Sequence, residues 1–145
     1  MWPSTNAREP GSVFHYPYLW ADDARAGLQN PKDRTTTLAV TFKRTTVEGA
    51  TVIHLFLLAI TDNPREGQTA LEIPQIEKRR AGLDPHRPAF VVMNEYNYDI
   101  LPHSHCYDRR SKTLGTLGKP FALQVKDKFV RALKDGAAKR VERAC

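Results

Sequence analysis

Ala50-Thr-Val-Ile-His-Leu-Phe-Leu-Leu-Ala-Ile60, followed by Thr61-Asp-Asn-Pro64, is the stretch on which the fold turns. Nine of its first eleven residues are apolar, a density that suits either a buried helix or a strand covered on both sides. Periodicity does not separate the two, but the flanks do. Gly49 precedes the run and Asp62-Asn63-Pro64 follows it, both punctuation of turns. Across the link Lys43-Arg-Thr-Thr-Val-Glu-Gly49 lies Thr35-Thr-Thr-Leu-Ala-Val-Thr-Phe42, dominated by β-branched residues. The run therefore reads as a central strand buried on both faces. Its longest apolar part, Val52 to Ile60, is interrupted by His54 and falls short of the ~20 residues a membrane-crossing helix needs.

Upstream, Gly11-Ser-Val-Phe-His-Tyr-Pro-Tyr-Leu-Trp20 has a β pattern that Pro17 either confines to a sheet edge or makes change course. Residues 1–10 read as a flexible lead, and 21–33 as a polar connection long enough to be functional. Downstream, Thr69-Ala-Leu-Glu-Ile73 is a short strand. Pro74-Gln-Ile-Glu-Lys-Arg-Arg-Ala-Gly82 spells one or two helical turns, with proline opening and glycine closing them. Pro88 to Tyr98 is another strand, and 99–118 an irregular basic connection. From Pro120, Val125, Phe129, Leu133 and Ala137 recur every four residues among lysines and arginines, which predicts an amphipathic helix over about 120–142. Strands followed by one terminal helix give a single mainly β domain with α structure over 11–145. It is a small β-barrel or curled sheet of five to seven strands over about 11–102, a basic linker at 103–118 and the closing helix.

A chain of 145 residues has room for one such domain, and 41% hydrophobic with 26% charged residues is ordinary globular composition. The N-terminus lacks the basic start and apolar core of a secretory signal, so a cytoplasmic location is expected. Cys106 and Cys145 are expected as free thiols. The charge is unevenly spread. Residues 1–106 carry 11 Lys and Arg against 12 Asp and Glu, whereas 107–145 carry 11 against 4, an excess of seven positive charges. Such clustering suits a polyanion or an acidic partner, and equally a solvated helix face.

Few residue clusters suggest chemistry. His103-Ser-His-Cys106 has ligand types for zinc, but no second spaced pair completes a site, so no metal is expected. His54 inside the apolar strand reads as a hydrogen-bonded core residue, and His86 lies in a proline-flanked loop. No glycine-rich phosphate loop or HExxH pattern occurs. Phe14, Tyr16, Tyr18 and Trp20 fall two apart and would share one strand face. Phe14 is assigned to the core, and Tyr16, Tyr18 and Trp20 are kept as candidate surfaces for stacking unpaired bases, core packing being the competing use.

Pro10-Gly-Ser-Val13, Lys32-Asp-Arg34, Leu58-Ala-Ile-Thr61, Glu72-Ile-Pro74 and Val91-Val-Met-Asn-Glu95 follow one another at strand starts and ends. In order and spacing, over about residues 10–102, they resemble the MazF/PemK/Kid toxins of bacterial toxin–antitoxin systems. The resemblance implies an SH3-like small barrel of the MazF/PemK/CcdB kind, a homodimer and an acidic antitoxin partner. It also implies cofactor-free, metal-independent cleavage of single-stranded RNA that inhibits growth. It carries Arg34 onto the family's catalytic arginine and Thr61 onto its catalytic Ser/Thr.

A planar guanidinium suits the charge that builds on phosphoryl oxygens when a 2′-hydroxyl attacks, and a threonine hydroxyl can donate to the same oxygens. His15 and Asp33 are the alternatives for the general base, Asp33 equally a holder of the guanidinium and His15 equally a packing residue. Lys32 joins Tyr16, Tyr18 and Trp20 as an RNA-binding candidate. The chain departs from the family at Thr35, where proline usually follows the arginine. Read without the resemblance, Arg34 is a strand-end surface charge and Thr61 a cap on the Asp62–Asn63 turn. The rival function is a non-catalytic RNA- or protein-binding member of the same fold.

Overall fold

The central run is a strand. The computed structural model describes residues 10–28, 34–101, 106–107 and 111–142. In it β1 (Ser12–Tyr16), α1 (Ala21–Arg25), β2 (Thr35–Thr45) and β3 (Thr51–Thr61) are followed by β4 (Ala70–Glu72), α2 (Gln75–Arg80), β5 (Phe90–Val92) and β6 (Glu95–Leu101). β7 (Thr113–Thr116), α3 (Lys119–Lys134) and β8 (Lys139–Arg140) complete the order. The strands form a mainly antiparallel sheet in the order β4-β5-β3-β2-β1-β7. β3 is forked: Ile53 to Leu57 pair with β6, and Ile60 and Thr61 pair with β5. The fork satisfies one edge of this eleven-residue strand, and its two faces are covered by two separate clusters of side chains.

One face of β3 presents Leu58 and Ile60, with Leu38 and Val40 of β2, to a core completed by Phe121, Val125 and Phe129 of α3. The opposite face presents Ile53, Leu55, Leu57 and Ala59 to Phe14, Tyr16 and Tyr18. β1 ends at Tyr16, and Pro17 turns the chain across this second face. The sheet is open, with no ladder between β4 and β7 among the described residues. α2, which follows β4 at one edge, ends against β7 at the other. A side chain on Gly115 would place its Cβ 2.3 Å from the Arg80 carbonyl oxygen, so only glycine allows the approach.

Several expectations need correction. Among the described residues there are eight strands rather than five to seven, in part because β7 and β8, four and two residues long, are too short to show a period. The strand expected over 88–98 is two, broken at Asn94, and the polar connection after Trp20 contains α1. α3 stops at Lys134 instead of running to about 142. Gly136 takes φ +72°, and Ala137 N–H donates to Ala132 O at 2.8 Å while Gly136 N–H donates to Leu133 O at 3.1 Å. This Schellman pair ends the helix, so Ala137 lies outside it. Cys106 is disulfide-bonded rather than free. Among the described residues no helix is long and apolar enough to cross a membrane.

Candidate active site at the end of three strands

Register brings the carried-over residues to one end of the sheet. Tyr16 pairs with Thr35 and His15 with Thr36, so β1 ends where β2 begins. The β2–β3 ladder ends at the pair Thr37–Ala59, two residues from Thr35 on one strand and two from Thr61 on the other. His15, Arg34 and Thr61 therefore sit at neighbouring strand ends. His15 is exposed and pairs across the strands with Thr36. Arg34 is exposed immediately before β2 and makes no hydrogen bond or ion pair among the described residues. Thr61 is half-buried, and its Oγ1 accepts the Asn63 N–H at 3.2 Å. The turn-cap reading of Thr61 is thus realised, and its O–H proton is still free to donate elsewhere. Alternation along β2 and β3 puts Thr36 and Ile60 on one face and Thr35 and Thr61 on the other. Thr61 nonetheless lines a shallow depression with Thr36, Asp62, Asp84, Arg87 and Ala89.

Arg87 was not anticipated. It stands just before β5 as Arg34 stands before β2, and its Nη2 pairs with Asp62 Oδ2 beside Thr61. The signal available was an arginine at a strand start between two prolines, in Asp84-Pro-His-Arg-Pro88. Which strand end it would meet depends on α2, and no local pattern encodes that.

The aromatic candidates separate. Phe14 is in the core, as expected. Tyr16 and Tyr18 are only 0% and 1% exposed, which corrects their assignment to a base-stacking surface. Both rings pack on β3 while their hydroxyls reach β6. Tyr16 donates to Asp99 Oδ2 at 2.7 Å and Tyr18 to Glu95 Oε2 at 3.1 Å. Between them, Asn97 accepts the Leu19 N–H at 2.7 Å and donates to the Leu19 carbonyl at 2.9 Å. Glu95, Asn97 and Asp99 alternate along β6 and so form one buried polar ladder beneath the segment Tyr16–Ala21. Glu95 also accepts from Ala21 N–H at 2.9 Å and from Gln68 Nε2 at 3.1 Å. Burial first, then the Glu95 charge and hydrogen bond, push the Tyr18 hydroxyl well above its ordinary value, against a smaller opposing effect of Arg65. Trp20 is half-buried, edge-on to Tyr18, with the Arg65 guanidinium 4.4 Å above its ring.

Asp33, Lys32, His103 and His105 lie outside the described residues. Among those described, no group of three or more His, Cys, Asp or Glu is placed to hold a metal ion. His54 is half-buried, and its Nδ1 hydrogen-bonds the Tyr98 hydroxyl, as a packed core histidine would. Part of the basic helix face is tied down, since Lys126 lies 4.5 Å over the Phe42 ring and donates to the Thr41 carbonyl at 3.4 Å. In comparisons with protein-family models, with curated proteins and with solved structures, nothing matches this chain.

Proposed function

We propose that this chain is a metal-independent endoribonuclease of the MazF/PemK/Kid toxin type, cutting single-stranded RNA through its 2′-hydroxyl. The observation that supports the reading is that β1 pairs with β2 and β2 with β3 toward the strand ends near which His15, Arg34 and Thr61 stand, up to 46 residues apart in sequence. The 2′-hydroxyl oxygen attacks the adjacent phosphorus while His15 takes its proton. The bond from phosphorus to the 5′-oxygen breaks, leaving a 2′,3′-cyclic phosphate and a 5′-hydroxyl once that oxygen is protonated. Charge gathers on the non-bridging oxygens as the phosphorus becomes five-coordinate. Arg34, exposed and without a partner among the described residues, meets that charge with two parallel N–H donors, and Thr61 O–H adds a third. An imidazole changes protonation near neutral pH, which suits a group that must take a proton and return it.

Within this reading the open sheet, bridged from edge to edge by α2, acts as an SH3-like barrel. Two copies associate as a homodimer, and an acidic, partly disordered antitoxin covers the basic surface after residue 106. This reading assigns the work to the cytoplasm, and the Cys106 disulfide counts against it, because thiols are kept reduced there. The non-catalytic alternative is favoured by one feature, the engagement of Thr61 Oγ1 in its own turn.

Purified protein incubated with long single-stranded RNA in excess chelator separates the two. Discrete fragments are expected, with Arg34→Ala about a hundredfold slower and Arg34→Lys little better. Retained RNA binding without cutting selects the alternative. Cutting by Arg34→Ala at the unmodified rate, with a mock-purified control clean, removes Arg34 from the mechanism.

A further inference from the structure

The loop from α2 to β5 delivers a second guanidinium to the depression that holds Thr61. Arg87 lines that depression opposite Thr36 and Thr61, and its side chain is 65% exposed. It is held from both ends. At the side chain, Asp62 Oδ2 takes one edge of the guanidinium. At the backbone, Lys78 reaches out of α2, and its Nζ donates to the Arg87 carbonyl at 2.8 Å and to the Pro85 carbonyl at 3.4 Å. Gln75 Nε2 donates to the same Pro85 carbonyl at 2.8 Å. The remaining carboxylate of the depression, Asp84, keeps its charge and turns Oδ1 to the loop, where it accepts the His86 N–H at 2.9 Å.

Lys78 is the unusual member. Its residue is 7% exposed, and among the described residues its ammonium meets carbonyl oxygens and no carboxylate. A buried cation kept without a counter-charge is costly, and it leaves positive potential behind the loop it anchors. Asp62 neutralises one edge of Arg87, yet a guanidinium has five N–H donors, so the opposite edge is left to bind a second anion. The adjoining threonine hydroxyls add neutral donors at the same place.

We infer that Arg87, with Thr36 and Thr61, forms a phosphodiester-binding subsite for a single-stranded polynucleotide, and that Asp62 and Lys78 are the residues that position it. The inference rests on the ribonuclease reading and adds a division of labour to it. In that reading Arg34, unpaired among the described residues, acts where charge develops. Arg87 is already oriented, so it holds a backbone phosphate equally in the bound substrate and in the transition state. Interactions of that uniform kind lower KM without raising kcat.

The test uses a fluorescein-labelled ten-nucleotide RNA with 2′-O-methyl groups at every position, which this chemistry cannot cut, read by anisotropy at several salt concentrations. Arg87→Ala is expected to weaken binding about tenfold or more, as for loss of a charge-assisted pair. The slope of log affinity against log salt should also fall by about 0.7, the value for neutralising one phosphate fewer on a single strand. With cleavable RNA, KM should rise by a similar factor and kcat should stay within about threefold, while Arg87→Lys recovers charge but not the two-pronged geometry. The exposed position makes both variants fold, which an unchanged thermal transition would verify.

Arg87→Ala with unchanged affinity and salt slope overturns the subsite, and so does a fall in kcat at constant KM. Cutting by the unmodified protein together with such a result leaves the ribonuclease reading standing alone. Arg87-dependent binding without any cutting leaves the subsite standing and removes the reading. A protein that neither binds nor cuts overturns both.

Discussion

The two faces of β3 are buried by opposite means. On one, Phe56 meets the Phe129 ring at 5.7 Å and Tyr96 meets it at 5.4 Å, and Val125 and Phe121 of α3 fill the remaining space. Contact area is all that this side requires. On the other, Leu55 and Leu57 pair across the ladder with Asp99 and Asn97, so hydrocarbon and carboxylate lie side by side under the Tyr16–Ala21 segment. That side works only if each buried polar atom is matched, because an unmatched one costs more than a matched one contributes. The first face is specified by volume and the second by pairing, and the two should fail differently when altered.

The largest effect belongs to the helix face. Phe129 is 0% exposed, and Phe129→Ala should cost about 3 to 5 kcal/mol in urea unfolding with an unchanged slope. A loss within measurement error would mean that α3 contributes no packing, and the contrast would collapse. On the pairing face, Asn97→Ala strands the N–H and carbonyl of Leu19 and should cost about 1 to 3 kcal/mol. Asn97→Leu sharpens the test. If the pairing account is right, the added hydrocarbon recovers none of that loss; recovery would show this side to be governed by volume as well.

The smallest effect is at Tyr18, where removing the hydroxyl as Tyr18→Phe should cost about 1 kcal/mol at pH 7. The folded-state hydroxyl is held well above its value in the unfolded chain. Its contribution is therefore complete below about pH 10 and is lost as pH climbs from there toward the folded value, since only the unfolded chain has ionised. The stability gap between the unmodified protein and Tyr18→Phe should narrow as pH is raised from about 9 to about 11. A gap that widens would mean that the hydroxyl ionises more easily inside than out.

The helix face was readable in one dimension because its signals are local. Phe129 and Val125 recur at helical spacing, and the run from Ala50 to Ile60 announces its burial by composition. The end of α3 was readable too, in Asp135-Gly136, but the four-residue recurrence reaching Ala137 masked it. The pairing face was not legible. Glu95, Asn97 and Asp99 look like the solvent side of an alternating strand, and Tyr16 and Tyr18 like its exposed edge. They are complementary only because Pro17 folds one segment over the other, 77 to 83 residues apart in sequence. The candidate site divides the same way. Arg34 and Thr61 mark strand ends in the sequence, whereas Arg87 depends on Lys78 of α2 and on the course of a loop.

The brief return of the chain after α3 also has a bearing on solubility. β6 is paired to β3 along one side, which would leave a row of bare peptide groups along the other. β8 lies parallel to it there, setting Lys139 and Arg140 beside Glu95 and Tyr96, with the Arg140 guanidinium 4.2 Å over the Tyr98 ring. These two residues occupy the first two positions of that seven-residue template, and both carry a charge that discourages a further strand from stacking on. The Schellman stop at Gly136 thus turns the chain back to guard the start of this edge of the sheet against self-association.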